Sequence, residues 1–410
     1  MGQIFTNYDD AVQWLFLQLP QYQSQGTKAY KPGLERTHEL MTYLGHPQQG
    51  FSSVHVAGTN GKGSCSHMLA SVLQSAGLRV GLYTSPHLKN FRERIRINGV
   101  QIPESVVLEF INNHAAAFTK MGLSFFEMTV GMAFEYFVQS DIDLAIIETG
   151  MGGRLDSTNV LVPVLSVITN IGLDHTQFLG ETLEAIAREK AGIIKANVPA
   201  VIGHYTPQTL AVFESVAQRQ KAPLIKAQEQ EYQDYSSDLK GEYQTQNKKT
   251  VLSALTVLSA QGYNVQNQHI VKGLSKVQAS TGLMGRWQII GHTPQIVCDT
   301  AHNVDGLTST MKQLCNLGAA QLHLVLGFVN DKALDEIFDC LPKAGIYYFC
   351  SADNPRATSS ESLIELGREK GLNSRAYSSV TKALKVAKTN AVPDDVIYVG
   401  GSTFVVAEVL

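Results

Sequence analysis

The chain has 410 residues, of which 44% are hydrophobic and 17% charged, a composition typical of a folded globular protein long enough for two domains. Its net charge of −3 and the lack of a dense basic stretch argue against a nucleic-acid partner, and no apolar run approaches the ~18 residues of a membrane span. The five cysteines form no CxxC pair, which argues against a disulfide framework or a zinc site and favours a cytoplasmic location.

The first predicted element is an amphipathic helix over residues 9–19. Its apolar residues are expected to face inward mostly: Trp14, Leu15, Leu17 and Leu19. From residue 54 onward, short apolar strands alternate with helices. Strands are predicted at 54–58, 78–85, 143–150, 164–171 and 199–203, and helices at 64–75, 104–120 and 127–139. Continuous apolar runs suit strands buried on both faces, so this order predicts a doubly wound parallel sheet.

Residues 54–77 carry the strongest local signal, because an apolar strand runs into a glycine-rich turn and then directly into a helix. Three glycines allow a tight turn whose N–H groups can face a triphosphate: Gly58, Gly61 and Gly63. Lys62 supplies a positive charge, and the Ser64 hydroxyl could ligate Mg²⁺. The spacing departs from the strict G-x-x-x-x-G-K-[ST] pattern, but the strand and helix around it predict nucleotide binding.

Two later strands are expected to deliver polar side chains to the same sheet edge as this loop. Glu148 ends the apolar strand 144–147, and the strand 164–169 delivers Asp174 and His175. A carboxylate there is either a solvated acid at a strand end or a Mg²⁺ ligand beside bound phosphates. For His175, a hydrogen-bonded structural role and a ligand role both remain open.

The second half of the chain begins a new α/β series. Residues 227–249 are polar and interrupt the alternation, and a helix is predicted over 250–261. Gly282 and Gly285 indicate a hinge near 282–287. Beyond it, strands are predicted at 294–301, 322–328, 345–352 and 395–402, and helices after 305, near 360–370 and near 379–390.

Five segments together resemble one known family. The loop GTNGKGS resembles the phosphate loop of the Mur ligase superfamily, which forms amide bonds at the expense of ATP. Four others resemble its folylpolyglutamate synthase and dihydrofolate synthase branch: TSPHLKNFRERI (84–95), ETGMGGRLDSTN (148–159), TNIGLDHTQFLGETLEAIAREKAGIIK (169–195) and CDTAHN (298–303). The motifs occur in the family's order and span nearly the whole chain.

The resemblance implies a set of residues for nucleotide and metal. It assigns ATP binding to Gly58, Thr59, Asn60, Gly61, Lys62, Gly63, Ser64, Asn247, Arg286, Asp299 and His302. Mg²⁺ ligands would be Ser85, Glu148, His175 and a carbamylated Lys190. Imidazole is an unusual partner for Mg²⁺, which prefers oxygen, so His175 rests on the resemblance. Lys62, Lys190 and His175 are the implied catalytic residues.

The resemblance also implies a folate site, formed by Phe125, Arg154 and Asp156. Phe125 and its neighbour Phe126 could flank a planar pterin, although two adjacent phenylalanines more often belong to a core.

The resulting expectation is an α/β protein with a doubly wound, mostly parallel ATPase domain (1–284) and a smaller Rossmann-like α/β domain (285–410). The protein is expected to act as a cytoplasmic monomer. With ATP and Mg²⁺ it would add L-glutamate to a folate or dihydropteroate carboxylate through an acyl phosphate. Two alternatives stay open at this point: a Mur-type ligase acting on cell-wall precursors, and a non-enzymatic nucleotide switch.

Overall fold

The computed structural model describes residues 4–17, 33–330 and 332–410. The strands are β1 Ser53–Ala57, β2 Val80–Tyr83, β3 Ile95–Ile97, β4 Val100–Gln101, β5 Leu144–Glu148, β6 Leu165–Ile168, β7 Ala200–Ile202, β8 Leu224–Lys226, β9 Gln288–His292, β10 Gln295–Cys298, β11 Leu322–Leu326, β12 Ile346–Cys350, β13 Asn373–Tyr377 and β14 Val396–Gly400.

The helices, numbered along the described residues, begin with α1 Tyr8–Leu17, α2 Glu35–Tyr43, α3 Lys62–Ser75, α4 Glu104–Met121, α5 Phe125–Gln139, α6 Thr176–Leu179, α7 Leu183–Lys190 and α8 Pro207–Gln220. They continue with α9 Gln244–Ala260, α10 Asn267–Leu274, α11 Val277–Thr281, α12 Val304–Cys315, α13 Leu334–Asp339, α14 Ser360–Glu369, α15 Val380–Asn390 and α16 Thr403–Ala407. Within the described ranges, none of these helices has the length and apolarity needed to cross a membrane.

The first sheet has eight strands in the order β4-β3-β2-β5-β1-β6-β7-β8. The six strands from β2 to β8 in that order are parallel, and β3 and β4 add antiparallel pairs at one edge. The central strands are fully buried, as their continuous apolar sequences predict. Val56 pairs with Glu148 and Ala57 with Ile168, so β1, β5 and β6 end at the same level.

The second sheet has six strands in the order β13-β12-β11-β14-β10-β9, and only β9 is antiparallel to its neighbour. Successive residues of β11 point to opposite faces. Leu324 packs in a cluster with Leu363 of α14, and Val325 packs in another with Ala383 of α15. Helices therefore cover both faces of this second sheet. The α/β prediction is confirmed, with a large, mostly parallel first sheet and a smaller α/β second sheet.

The chain divides into two compact units. Among the described residues, the first comprises 4–17, 33–238 and 245–282, and the second comprises 239–244, 283–330 and 332–410. The two sheets fall one in each unit. The short segment 239–244 belongs with the second unit although it lies far upstream of the predicted hinge.

The predicted elements agree in position with the structure except at a few places, but β3, β4, β8, β9 and β13 were not predicted from the sequence. Leu17 is 71% exposed rather than inward-facing, because α1 packs through its other face, where Leu15 is fully buried. Leu19 lies outside the described residues. The helix predicted from residue 250 begins six residues earlier, at Gln244. Its polar first turn lacks the apolar periodicity used to predict helices.

Candidate active site

The turn between β1 and α3 is held in a conformation that requires glycine. Gly58 has φ +153° and Gly61 has φ +82°. A Cβ on Gly58 would collide with the Thr169 hydroxyl, and one on Gly61 would collide with the Asn247 side chain. Gly61 is the N-cap of α3, and no side chain caps that helix. The first turn of a fourteen-residue helix thus faces a close-fitting loop, which suits an anionic ligand.

Residues after β6 brace this turn. Thr59 N donates to the Asn170 carbonyl oxygen at 3.0 Å, and Asn60 N donates to Asn170 Oδ1 at 2.8 Å. In return, Thr169 Oγ1 donates to the Asn60 carbonyl oxygen at 2.5 Å. The backbone of the phosphate loop is therefore fixed by the neighbouring strand end before any ligand arrives.

Two lysines meet at the start of this loop. Lys62 Nζ donates to the Gly58 carbonyl oxygen at 3.0 Å, and Lys190 Nζ, at the end of α7, donates to the same oxygen at 2.8 Å. Lys190 is only 3% exposed. Burial first, and then the charge of Lys62, lower the Lys190 pKa to about 7, against the opposing effect of Asp174 and Asp156. The amine is thus substantially neutral near physiological pH.

Glu148 lies at the carboxyl end of β5, where the sequence places it. It is 3% exposed, and Ser85 N donates to its Oε2 at 3.3 Å. Ser85 follows the neighbouring strand β2. The structure thus brings together Ser85 and Glu148, two of the four predicted metal ligands, at one sheet edge.

His175 occupies the N-cap of the short helix α6, with φ +52°. Its backbone N donates to Asp174 Oδ1 at 2.9 Å, and its Nε2 lies 3.9 Å from Asp174 Oδ2. Asp174 also acts electrostatically on Lys190. The segment after β6 therefore presents a carboxylate as well as an imidazole near the loop.

The Glu148 carboxylate and the Ser85 hydroxyl are oxygen ligands of the kind that a hard cation such as Mg²⁺ prefers. Within the ranges described, no three His, Cys, Asp or Glu side chains form a preassembled metal cluster.

The predicted folate residues occupy three different settings. Phe125, the first residue of α5, is 3% exposed and stacks on Phe16 with ring centroids 5.2 Å apart. Arg94 lies over the same ring, with its Cζ 5.1 Å from the centroid. Arg154 is largely exposed and pairs with Glu189, its Nη2 lying 2.8 Å from Glu189 Oε1.

Asp156 is buried and organises the loop after β5. Its Oδ2 accepts a hydrogen bond from Met151 N at 2.9 Å, and its Oδ1 accepts from Thr158 N and Oγ1 at 3.0 and 2.5 Å. Burial raises the Asp156 pKa, and these hydrogen bonds oppose that rise. His55 Nε2 lies 2.8 Å from Thr158 Oγ1, which extends the network into β1.

The remaining predicted nucleotide residues fall into both units. Asn247 lies within the first turn of α9, beside Gly61. In the second unit, Asp299 follows β10, and its Oδ2 accepts hydrogen bonds from Tyr243 OH at 2.6 Å and Trp287 N at 2.7 Å. Two predicted residues contact the adjacent Thr300: Arg286 bonds its hydroxyl and His302 Nδ1 lies 2.9 Å from its carbonyl oxygen.

Sequence reasoning overlooked several residues that shape these sites. Thr169 and Asn170 hold the phosphate loop, and the TN pair directly after an apolar strand was their available signal. Tyr243 lies in the polar stretch 227–249, whose lack of pattern offered no signal. His55 appears in the sequence as an ordinary strand residue.

Comparisons with known proteins define the class. Residues 56–274 match the Mur ligase middle domain, and residues 285–403 match the Mur ligase glutamate ligase domain. With its phosphate loop, the doubly wound first unit and the α/β second unit, the protein is an ATP-dependent ligase of the Mur type.

The particular family follows from full-length relatives. The chain is 33% identical to the dihydrofolate synthase/folylpolyglutamate synthase of Bacillus subtilis, with 99% of each chain covered, and 34% identical to that of Escherichia coli, with 94% and 92% covered. E. coli FolC in complex with DHPP and ADP superposes with a TM-score of 0.88 at 29% identity, covering 100% of this chain and 98% of that one. A Yersinia pestis homologue complexed with AMPPNP and Mn ion gives 0.85 at 29% identity, with 100% and 98% covered. The chain belongs to the folylpolyglutamate synthase/dihydrofolate synthase family.

Proposed function

We propose that this protein joins L-glutamate to the carboxylate of a folate or dihydropteroate acceptor, using the site at the carboxyl edge of the first sheet. The observation that supports this most is the meeting of Lys62 and Lys190 on the Gly58 carbonyl oxygen, level with the buried Glu148. A phosphate loop with two adjacent amines and a buried carboxylate suits transfer of a phosphoryl group.

The reaction needs ATP because a carboxylate is a poor acyl donor. Transfer of the γ-phosphoryl group to the acceptor carboxylate releases ADP and forms an acyl phosphate. The glutamate amine then attacks the acyl carbon, and phosphate leaves as the amide forms. The N–H groups at the start of α3 and the Lys62 ammonium hold the negative phosphoryl oxygens in place.

We further propose Mg²⁺ as the metal, with Ser85, Glu148, His175 and a carbamylated Lys190 as its ligands. When bound, the cation offsets negative charge on the transferring group. The oxygen-rich setting of Ser85 and Glu148 supports this choice of metal. His175 is the least suited of the four, since imidazole is a softer ligand.

Carbamylation of Lys190 requires a neutral amine, and the structure supplies the two physical causes of one. Burial and the neighbouring Lys62 charge lower the Lys190 pKa to about 7. The Lys190 ammonium loses a proton, the neutral amine nitrogen attacks the carbon of CO₂, and a second proton leaves the nitrogen to give the carbamate. The resulting carbamate has two oxygens that share a charge of −1, in place of the ammonium cation. An ammonium would repel Mg²⁺, whereas the carbamate oxygens can bind it.

For the folate acceptor, Phe125, Arg154 and Asp156 remain the proposed contacts, around the loop that follows β5. The remaining residues proposed to bind ATP are Thr59, Asn60, Gly61, Gly63, Ser64, Asn247, Arg286, Asp299 and His302. We also propose domains 1–284 and 285–410, supported by the matched ranges 56–274 and 285–403. A cytoplasmic location is proposed because all five cysteines are free.

An acceptor-dependent phosphate-release assay tests this function. Release should require ATP, L-glutamate and a pterin acid together, with dihydropteroate and folyl-glutamate tested in separate reactions to show which acceptor is used. Release that needs neither acceptor nor glutamate would indicate a nucleotide switch. Release with a UDP-linked peptide precursor in place of the pterin acid would indicate a cell-wall ligase.

A further inference from the structure

The polar segment 230–243 contains no helix or strand, yet side chains fasten it along its length. Its first half belongs to the first unit. Tyr232 OH donates to Ser253 Oγ at 3.0 Å, and Tyr235 OH donates to Asn267 Oδ1 at 2.7 Å. Exposed polar chain has little apolar area to bury, so such specific hydrogen bonds are what hold it in one path.

Its second half is clamped to the second unit by one glutamine of α12. Gln313 Nε2 donates to the Lys240 carbonyl oxygen at 3.1 Å, and Gln313 Oε1 accepts from Glu242 N at 2.7 Å. A Cβ on Gly241 would lie 2.6 Å from the Tyr243 ring, so glycine lets the ring fold back over its own chain. Gln313 and Gly241 together set the path that carries the Tyr243 phenol to Asp299.

The Asp299 carboxylate is almost wholly committed to protein donors. Its Oδ2 accepts from Tyr243 OH at 2.6 Å and from Trp287 N at 2.7 Å, and its Oδ1 accepts from Ala301 N at 2.8 Å. Asp299 is 2% exposed, so water cannot replace a lost donor easily. Of these donors only Tyr243 is a side chain, and it comes from a distant part of the sequence.

We infer that Tyr243 is a positioning residue for the ligase reaction: its phenol sets the orientation of the Asp299 carboxylate with which the second unit contacts the nucleotide. The inference rests on the proposed role of Asp299 in nucleotide binding. A hydrogen bond to a buried carboxylate is charge-assisted and short, and it restricts rotation of the acid side chain. Tyr243 therefore acts through Asp299.

The experiment is Tyr243→Phe in the full chain, which removes one oxygen and keeps the ring. Affinity for a non-hydrolysable ATP analogue, measured by calorimetry, should weaken about ten-fold, the size expected for loss of one charge-assisted hydrogen bond. KM for ATP should rise in parallel, and KM for the pterin acid and for glutamate should stay near wild type. Tyr232→Phe is the matched control, because it deletes the same hydroxyl from the same segment without touching Asp299, and it should leave nucleotide affinity unchanged.

Asp299→Asn and the double variant Tyr243→Phe/Asp299→Asn distinguish the nucleotide role of Asp299 from the effect of Tyr243 on Asp299. If Tyr243 acts through Asp299, the double variant should bind nucleotide no more weakly than Asp299→Asn alone. Additive losses would overturn the inference, as would normal nucleotide binding by Tyr243→Phe beside a weakened Asp299→Asn. Normal binding by Asp299→Asn would instead remove the nucleotide role of Asp299, and the inference with it.

A second variant guards against misfolding of Tyr243→Phe. Gln313→Leu removes the two hydrogen bonds to the backbone of Lys240 and Glu242 and leaves Tyr243 itself unmutated. It should show the same selective rise in KM for ATP. A variant that loses affinity for pterin acid and ATP alike would mark the segment as a general stability element and contradict a positioning role.

Discussion

At the scale of single residues, burial decides the chemistry of Lys190. A lysine at the end of a helix is ordinarily a solvated cation, but this one is 3% exposed and faces the like charge of Lys62. Both effects disfavour the ammonium form, and the result is an amine that titrates near neutrality. The same burial would be costly in a structural residue, so its presence beside a phosphate loop points to function.

Activity should therefore depend on CO₂ and on pH. Because the Lys190 pKa is about 7, the neutral amine that reacts with CO₂ predominates above that pH and disappears below it. In CO₂-depleted buffer below pH 7, ligase activity should fall and should recover on addition of bicarbonate. Mass spectrometry under native conditions, or crystallographic density at Lys190, would reveal the added carboxyl group. An unmodified amine in fully active, metal-loaded protein would contradict the proposal.

Lys62 contributes charge and not core packing, so Lys62→Ala should separate catalysis from stability. Turnover should fall on the order of 10²-fold or more, because a preorganised positive group is lost at the transferring phosphoryl. Circular dichroism and thermal unfolding should match wild type. Near-normal turnover in this well-folded variant would exclude Lys62 from the mechanism.

His55 links acid stability to the hydrogen-bond network of Thr158 and Asp156 in the loop after β5. Complete burial, and secondarily the charge of Lys195, lower the His55 pKa from 6.5 to about 3. Between these two pH values His55 is protonated in the unfolded chain and neutral in the folded one. The free energy of unfolding is therefore unaffected by His55 protonation above pH 6.5. It falls by about 1.4 kcal/mol per pH unit as the pH drops from 6.5 toward 3.

Denaturant titrations between pH 6.5 and 4 check this. His55→Gln should show a shallower fall in the free energy of unfolding than wild type. The exposed His292→Gln serves as the control and should retain the wild-type slope. Equal slopes for both variants would show that His55 is accessible to protons in the folded state.

At the scale of elements, the turn between β1 and α3 works because its neighbours hold it. Hydrogen bonds from the segment after β6 restrain its backbone, and Asn247 of α9 closes against Gly61. Because the turn is already ordered, ligand binding costs little conformational entropy there, and the affinity is higher as a result.

Replacing glycine at the two ends of α3 should separate the effect of backbone strain from that of fit. Gly61 and Gly77 have φ +82° and +91°, so alanine at either costs about 1 kcal/mol or more. Only at Gly61 would the new Cβ meet a neighbour, whereas Gly77 has open space. Gly61→Ala should lose ATP binding, measured by calorimetry, and Gly77→Ala should lose stability alone. Equal ATP affinity in the two variants would show that the close fit of the turn at Gly61 is not needed for ATP binding.

At the scale of the whole molecule, the chain joins its two units more than once. Within the described residues it passes between them at 238–239, 244–245 and 282–283. The connection at 282–283, where the sequence predicts a hinge, is thus one of several, and the segment carrying Tyr243 is another.

We expect the protein to function as a monomer, with every residue of the site supplied by the same chain. Specific activity should stay constant on serial dilution, and sedimentation equilibrium should yield the mass of a single chain with or without nucleotide. A loss of specific activity on dilution that parallels a fall in mass would indicate a site completed by a second copy.

From the sequence alone, we could predict the fold class, the positions of most strands along the chain, the glycine-rich turn after β1 and the family. These depend on local features: apolar runs of strand length, glycines at a turn, and motifs in a recognisable order. It also located the ends of β5 and β10, because Glu148 and Asp299 stand directly at the ends of apolar runs. The start of α9 and the exposure of Leu17 escaped prediction, since a polar helical turn has no periodicity and an apolar residue does not reveal which face packs.

Only the tertiary structure decided the properties that depend on distant neighbours. The lowered Lys190 pKa needs burial and the Lys62 charge, which lies 128 positions away in the chain. The bracing of Gly58 by Thr169 and the contact of Tyr243 with Asp299 join segments that are far apart in sequence. Local pattern predicts which elements form. Desolvation, charge proximity and hydrogen-bond geometry arise only when those elements pack together, and they determine how the site works.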